Sequence, residues 1–245
     1  MPWKAISNAL GLDEGGAVRD ALASLWSSIG LDRLTEPTPA YRSVAFTIAV
    51  TTLAAKMAKA DGVALPVEAR TFERLFAIPP DEMANVRRLY DLAKQDTAGY
   101  EAYASKIAKL LEGEPDLLRN VFECLFCVAS ADGILHPSED QFLETVAQKF
   151  GMNRSEFIAI RASFIHDPDS PYDVLGVRPD VSETELRSRY LALVREHHPD
   201  RLMASGVPVA FRLAADRRLA AINVAYESIR EMRGRDRGAL EARHP

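Results

Sequence analysis

The residues Arg195-Glu196-His197-His198-Pro199-Asp200-Arg201 bring two imidazoles, a proline and a carboxylate to the end of a strongly helical run. Such groups serve a metal centre, an acid/base cluster, or a corner offered to another protein. A zinc site needs further ligands at defined spacing, and no HExxH or comparable partner set is present. Adjacent histidines on a helix end also point in divergent directions, and His197 falls on the packing side, where a satisfied imidazole is the ordinary reading. Pro199 cannot donate a backbone hydrogen bond and drives His198 out of the α region, so the helix must end at His197 or His198. His198, Asp200 and Arg201 are therefore held at a stiff corner, as recognition by a second protein requires.

The elements that position this corner are readable on both sides. Ser182-Glu183-Thr184-Glu185 is a capping box, and Val181 with Leu186 forms a hydrophobic staple. Leu186, Tyr190, Leu193, Val194 and His197 follow at helical spacing, leaving Arg187, Ser188, Arg195 and Glu196 on a wet face. A loop through Met203-Ala204-Ser205-Gly206-Val207-Pro208 leads into a long helix whose Ala215, Leu219, Ile222, Tyr226 and Ile229 recur at steps of four and three. That seam suits a helix packed antiparallel on its predecessor. Pro171-Tyr172-Asp173-Val174-Leu175-Gly176-Val177 supplies a short helical wedge against the pair.

Across the 245 residues helical periodicity dominates and alternating runs are scarce, so the fold class is all-α. Helices are expected at 17–29, 41–60, 67–76, 81–94, 98–111, 115–131, 137–150, 154–165, 183–197 and 209–232. His166-Asp167-Pro168-Asp169-Ser170-Pro171 reads as a linker. The acidic excess of the chain lies ahead of it, and every basic residue beyond it is arginine. The domain reading is an N-terminal helical extension at 1–40, a helical domain at 41–165, a linker at 166–170, a second domain at 171–233 and a tail at 234–245. A net charge of −5 gives no global attraction to nucleic acid or anionic lipid. Arg230, Arg233, Arg235 and Arg237 alternate with acids and read as a solvated face rather than a nucleic-acid footprint. Cys124 and Cys127 sit in the apolar run VFECLFCVA and read as small buried hydrophobes.

The N-terminus lacks the pattern of a signal peptide, and the longest uncharged run, 43–55, falls short of the ~20 residues of a spanning helix. A cytoplasmic protein is expected; peripheral contact with the inner membrane and homodimerisation through the first domain stay open.

The first domain contains an internal echo. Ala60-Asp61-Gly62-Val63 with Pro66 and Glu68 is repeated with identical spacing as Ala131-Asp132-Gly133-Ile134 with Pro137 and Glu139. Glycine after one helix and proline at the start of the next make each copy a helix, turn, helix unit with the glutamate in a first turn. The aspartates read first as turn formers, with a cation shared with the following glutamate as the alternative. The spacing is not that of an EF-hand.

The repeated ADGxxxPxE pattern in helical surroundings resembles the TerB-like tellurite-resistance domain. In that family the acidic positions are suspected of metal binding or interaction, which maps onto Asp61, Glu68, Asp132 and Glu139 and a divalent metal. The second domain, with YDVLGV, SxxELRxxY, HHPDR and INxAYE, is similar to the J domain of DnaJ-type co-chaperones, and the order of the two domains is that of the DjlA type.

The resemblance implies a function without bond chemistry, so no enzyme. His198-Pro199-Asp200 would dock on a DnaK-type chaperone and trigger its ATP hydrolysis, with Arg187, Arg189, Arg195 and Arg201 attracting an acidic partner surface. ATP belongs to the partner, and no cofactor is required. The TerB-like domain would target the chaperone to a client. Leu191-Ala192 stands where the J family commonly has a Lys/Arg pair, and the membrane span of the DjlA type is not seen. The alternative function is a metal-binding, tellurite-resistance-like stress protein with the J domain secondary.

Overall fold

The computed structural model describes residues 39–60, 72–73, 78, 80, 83–95, 99–131, 134–165 and 171–241. Among them every regular element is helical. The helix expected at 17–29 and most of the one at 67–76 lie outside the described residues, as does the linker at 166–170.

Helix α1 (Pro39–Ala60) carries the long uncharged run. Ala45, Phe46, Ile48, Ala49, Val50, Leu53 and Ala55 are all inaccessible, and a helix apolar on every side belongs at the centre of a bundle. Its buried Thr47 and Thr52 hydroxyls donate back to the carbonyls of Ser43 and Ile48 at 2.8 and 2.7 Å, so they cost the core little. Helices α2 (Met83–Gln95), α3 (Tyr100–Leu110), α4 (Pro115–Ala129) and α5 (Pro137–Lys149) pack on it, and α6 (Arg154–Phe164) packs on α4. No described helix is long and apolar enough to cross a membrane.

The described part of the second copy of the internal echo, from Pro137 on, follows its residues. Pro137 lies in the first turn of α5, and the Glu139 side chain accepts from the His136 N–H at 3.0 Å. Cys124 and Cys127 are buried in α4. Burial pushes both thiols up, Cys127 to about 11, so neither is a nucleophile at neutral pH.

The C-terminal half comprises α7 (Pro171–Leu175), α8 (Glu183–Glu196), α9 (Pro199–Ala204), a 3-10 turn (Val209–Phe211) and α10 (Arg212–Glu241). Ser182 accepts from the Glu185 N–H while the Glu185 carboxylate accepts from the Ser182 N–H, closing the expected box. Tyr190 stacks on Tyr226 with ring centroids 4.0 Å apart, and Arg233 reaches Glu183, so α8 and α10 run antiparallel. Leu186 and Leu193 meet Ile222, Ala225 and Ile229, with Val174 and Leu175 of α7 wedged between.

Two elements differ from expectation. Residues 199–204 form a short helix rather than a loop: Pro199 suits a first helical position, His198 caps it, and Gly206 at φ +95° closes it. Helix α10 continues past residue 232, where Arg235 and Glu231 add an i,i+4 ion pair at 3.3 Å.

The two halves share one core. Leu202, Val207, Phe211, Ala214 and Ala215 belong to the same buried cluster as α1 and α4. Phe211 meets Phe46 edge to face at 5.1 Å. Beneath the corner lies a buried ionic cluster. His197 Nδ1 faces the Leu193 carbonyl at 2.9 Å and Nε2 faces Glu123 Oε1 at 3.0 Å. With an acceptor on each side, the site favours the imidazolium, in which both nitrogens donate. Arg218 stands 3.7 Å from the same carboxylate oxygen and donates to the Ala159 carbonyl at 2.6 Å. Burial pulls His197 down, but the charge and hydrogen bond of Glu123 outweigh it and hold the imidazole above its usual value. Burial likewise pushes Glu123 up, and the charges of His197, Arg218 and Arg119 outweigh it, holding the carboxyl low.

These contacts set two expectations. Phe211→Ala should cost about 3–5 kcal/mol in urea denaturation of the full chain, because the cavity opens in the shared core; a cost below about 1 kcal/mol contradicts that packing. The contribution of His197 is complete below its unfolded value of about 6.5 and is lost as pH rises through its raised folded value. That of Glu123 is present above about 4.5 and is lost as pH falls through its depressed folded value. The denaturation midpoint should therefore decline on the alkaline side, and His197→Gln should flatten that limb. A variant curve parallel to wild type contradicts the assignment.

Candidate partner-docking site

The corner at 197–201 is built by a helix that must stop and another that must start. Helix α8 ends at His197, whose N–H still bonds the Leu193 carbonyl at 3.0 Å. His198 is extended, with φ −66° and ψ 135°, as the residue before proline should be. Its Nδ1 accepts from the Asp200 N–H at 3.3 Å, which caps the helix that follows. The His198 side chain is 57% exposed and that of Asp200 89%. An exposed imidazole and an exposed carboxylate thus flank the proline and lie against each other, with His198 Nδ1 3.8 Å from Asp200 Oδ2, and no metal ligand set is present among the described residues.

The four candidate arginines separate. Arg187 and Arg195 are exposed on α8. Arg189 donates through Nε to the Leu175 carbonyl at 3.0 Å and braces α7 against α8. Arg201 pairs with Asp116 of α4 at 3.4 Å, tying the corner to the first bundle. Leu191, where a basic residue is common in the J family, is 39% exposed. Glu196, expected on the wet face, is instead engaged by Arg119.

The structure adds residues that the motif does not contain. Glu123, Arg119 and Arg218 underlie the corner, and Glu123 is visible in the sequence as a lone acid in an apolar run. Arg233, expected on a solvated face, clamps the start of α8: its Nη2 donates to the Val181 carbonyl at 2.8 Å and to that of Pro179 at 3.1 Å.

Of the acidic residues considered for a metal, Asp61, Glu68 and Asp132 lie outside the described residues. Glu139 serves as the capping acid of α5, and the described residues hold no group of three or more metal-ligating side chains.

Comparison with known proteins agrees with this geometry. The family model described as "Tellurite resistance protein TerB" matches residues 47–162, and the one described as "DnaJ domain" matches residues 170–237. The chain is 30% identical over 149 residues to the co-chaperone protein DjlA of Escherichia coli K12, covering 50% of this chain and 54% of that one. It is 32% identical over 152 residues to DjlA of Vibrio cholerae, with the same shares. To DjlA of Salmonella typhimurium it is 27% identical over 180 residues, covering 63% and 66%. The chain spans about half the length of the first of these relatives. No solved structure matches it. An all-α TerB domain is thus followed by a DnaJ domain with an intact His-Pro-Asp corner, and the chain is similar to co-chaperone proteins named DjlA.

Proposed function

We propose that the chain is a co-chaperone that docks on a DnaK-type chaperone through His198, Pro199 and Asp200 and stimulates ATP hydrolysis by that partner. One observation carries the reading. His198 and Asp200 are exposed at a proline-fixed corner whose flanks, His197 and Leu202, are buried. A preformed corner binds without the entropy cost of ordering a free loop. Its output is a shift of the partner between two states, which requires contacts stronger in one state than the other.

In this reading Arg187 and Arg195 steer association with an acidic partner surface, Arg201 acts from the bundle side, and Arg189 works chiefly by bracing the helices. The chain does no bond chemistry, uses no cofactor of its own and leaves ATP to the partner. The TerB domain brings the chaperone to a client. The protein works in the cytoplasm.

Single-turnover ATP hydrolysis by a DnaK-type chaperone tests this directly. The wild-type chain should accelerate it, and His198→Gln should abolish the acceleration while leaving the fold intact by circular dichroism. Equal stimulation by both proteins sinks the reading. Arg187→Ala combined with Arg195→Ala should slow association at low salt several-fold and lessen its salt dependence, while the stimulated rate at saturation stays unchanged. An unaltered salt dependence removes these two arginines from the interface.

A further inference from the structure

The corner is gripped at both flanks, and the grip comes from the TerB bundle. On the N-terminal flank, His197 spends both ring nitrogens, one on its own helix at Leu193 and one across the interface on Glu123. The imidazole cannot turn without breaking two bonds in a place shielded from water. On the C-terminal flank, Val207 N–H returns to the Leu202 carbonyl at 3.1 Å, and Leu202, Val207 and Phe211 enter the shared core. Gly206 backs directly onto α1: a Cβ built there would stand 2.5 Å from Arg42 Cβ. Arg42 is itself held by Glu114, with Nε 2.7 Å from Oε1. Between the flanks, Arg201 reaches Asp116.

Glu123 is the least economical residue in this arrangement. It sits among Val121, Phe122, Cys124, Leu125 and Phe126, all buried, and its Oε2 is buried with no hydrogen-bond partner among the described residues. A half-satisfied buried acid costs stability relative to an apolar side chain of similar size. What it supplies in return is direction: an anion at one fixed point that a cationic ring must face.

We propose that Glu123 is a positioning residue for the His198-Pro199-Asp200 corner, so that the TerB bundle sets how tightly the J domain engages its ATPase partner. This rests on the co-chaperone reading above and extends it. A corner without the Glu123 contact samples other orientations, and apparent affinity falls by the fraction of time it spends in register. The stimulated rate at saturation is unaffected, because His198 and Asp200 still make the contacts.

The test uses the full chain in two measurements. In the first, Glu123→Gln should raise the half-saturating concentration for stimulation about tenfold, as a corner in register one time in ten requires, with the maximal rate retained. Glu123→Asp should raise it less. In the second, hydrogen exchange should quicken at residues 197–207 in Glu123→Gln while the protection around Ile222 and Ile229 persists. A wild-type half-saturating concentration in Glu123→Gln overturns the proposal, as does loss of maximal rate alone. If Glu123→Gln does not fold, Gly206→Ala replaces it as the probe of the opposite flank. There Arg42 and the positive φ resist a side chain, and the same split in concentration against rate is expected; an unchanged half-saturating concentration in this variant overturns the proposal. If even the wild-type chain gives no stimulation, the co-chaperone reading fails, and exchange alone decides the positioning claim: unchanged protection at 197–207 refutes it.

Discussion

The structure depends on one buried charge contact between its halves. Glu123 of α4 meets His197 at the end of α8, with Arg218 of α10 beside them, so three helices from two domains converge on a single carboxylate. An ion pair so placed is no free gift of stability, because desolvation opposes the attraction. Its effect is geometric: it fixes which way the end of α8 faces, and therefore where Pro199 turns the chain. The apolar contacts of Phe211, Leu202 and Val207 with the bundle hold the halves together; the ionic contact sets their register.

From this follows a division of labour within six consecutive residues. His197 and Leu202 face inward and anchor, while His198 and Asp200 are exposed beside each other. The alternation arises from Pro199, which ends one helix and begins the next within a single step. Without the proline α8 could continue, and His198 and Asp200, two positions apart, would point from different sides of it. Around this point the electrostatics are local: Arg201 and Arg119 are drawn to acids of the chain itself, while Arg187 and Arg195 are exposed on α8.

Much of this was legible in the residue order, and the limits have physical causes. The capping box at Ser182, the proline stop and the seam of α10 are local signals, so α8, α10 and the corner between them could be placed from sequence. The packing side of His197 followed from its spacing after Leu193. What His197 packs against did not, because Glu123 is 74 positions away and only the fold brings them together. The helix at Pro199–Ala204 was missed because six residues followed by Ser-Gly resemble a loop, and its closure by Gly206 depends on the bundle behind it. Arg233 looked like one of several tail arginines until α10 carried it to the start of α8. The two ADG turns remain legible only as a repeat, of which the described residues show the capping role of Glu139.

In the proposed co-chaperone role, the corner preset by the bundle is the surface a DnaK-type chaperone meets. Hydrogen exchange of the full chain, with and without an ATP-bound DnaK-type chaperone, measures this most directly. Added protection should concentrate at residues 197–205 and along the Arg187 and Arg195 side of α8, with the rest of the TerB bundle unchanged. Protection confined to the bundle, or none at the corner under saturating partner, contradicts the account.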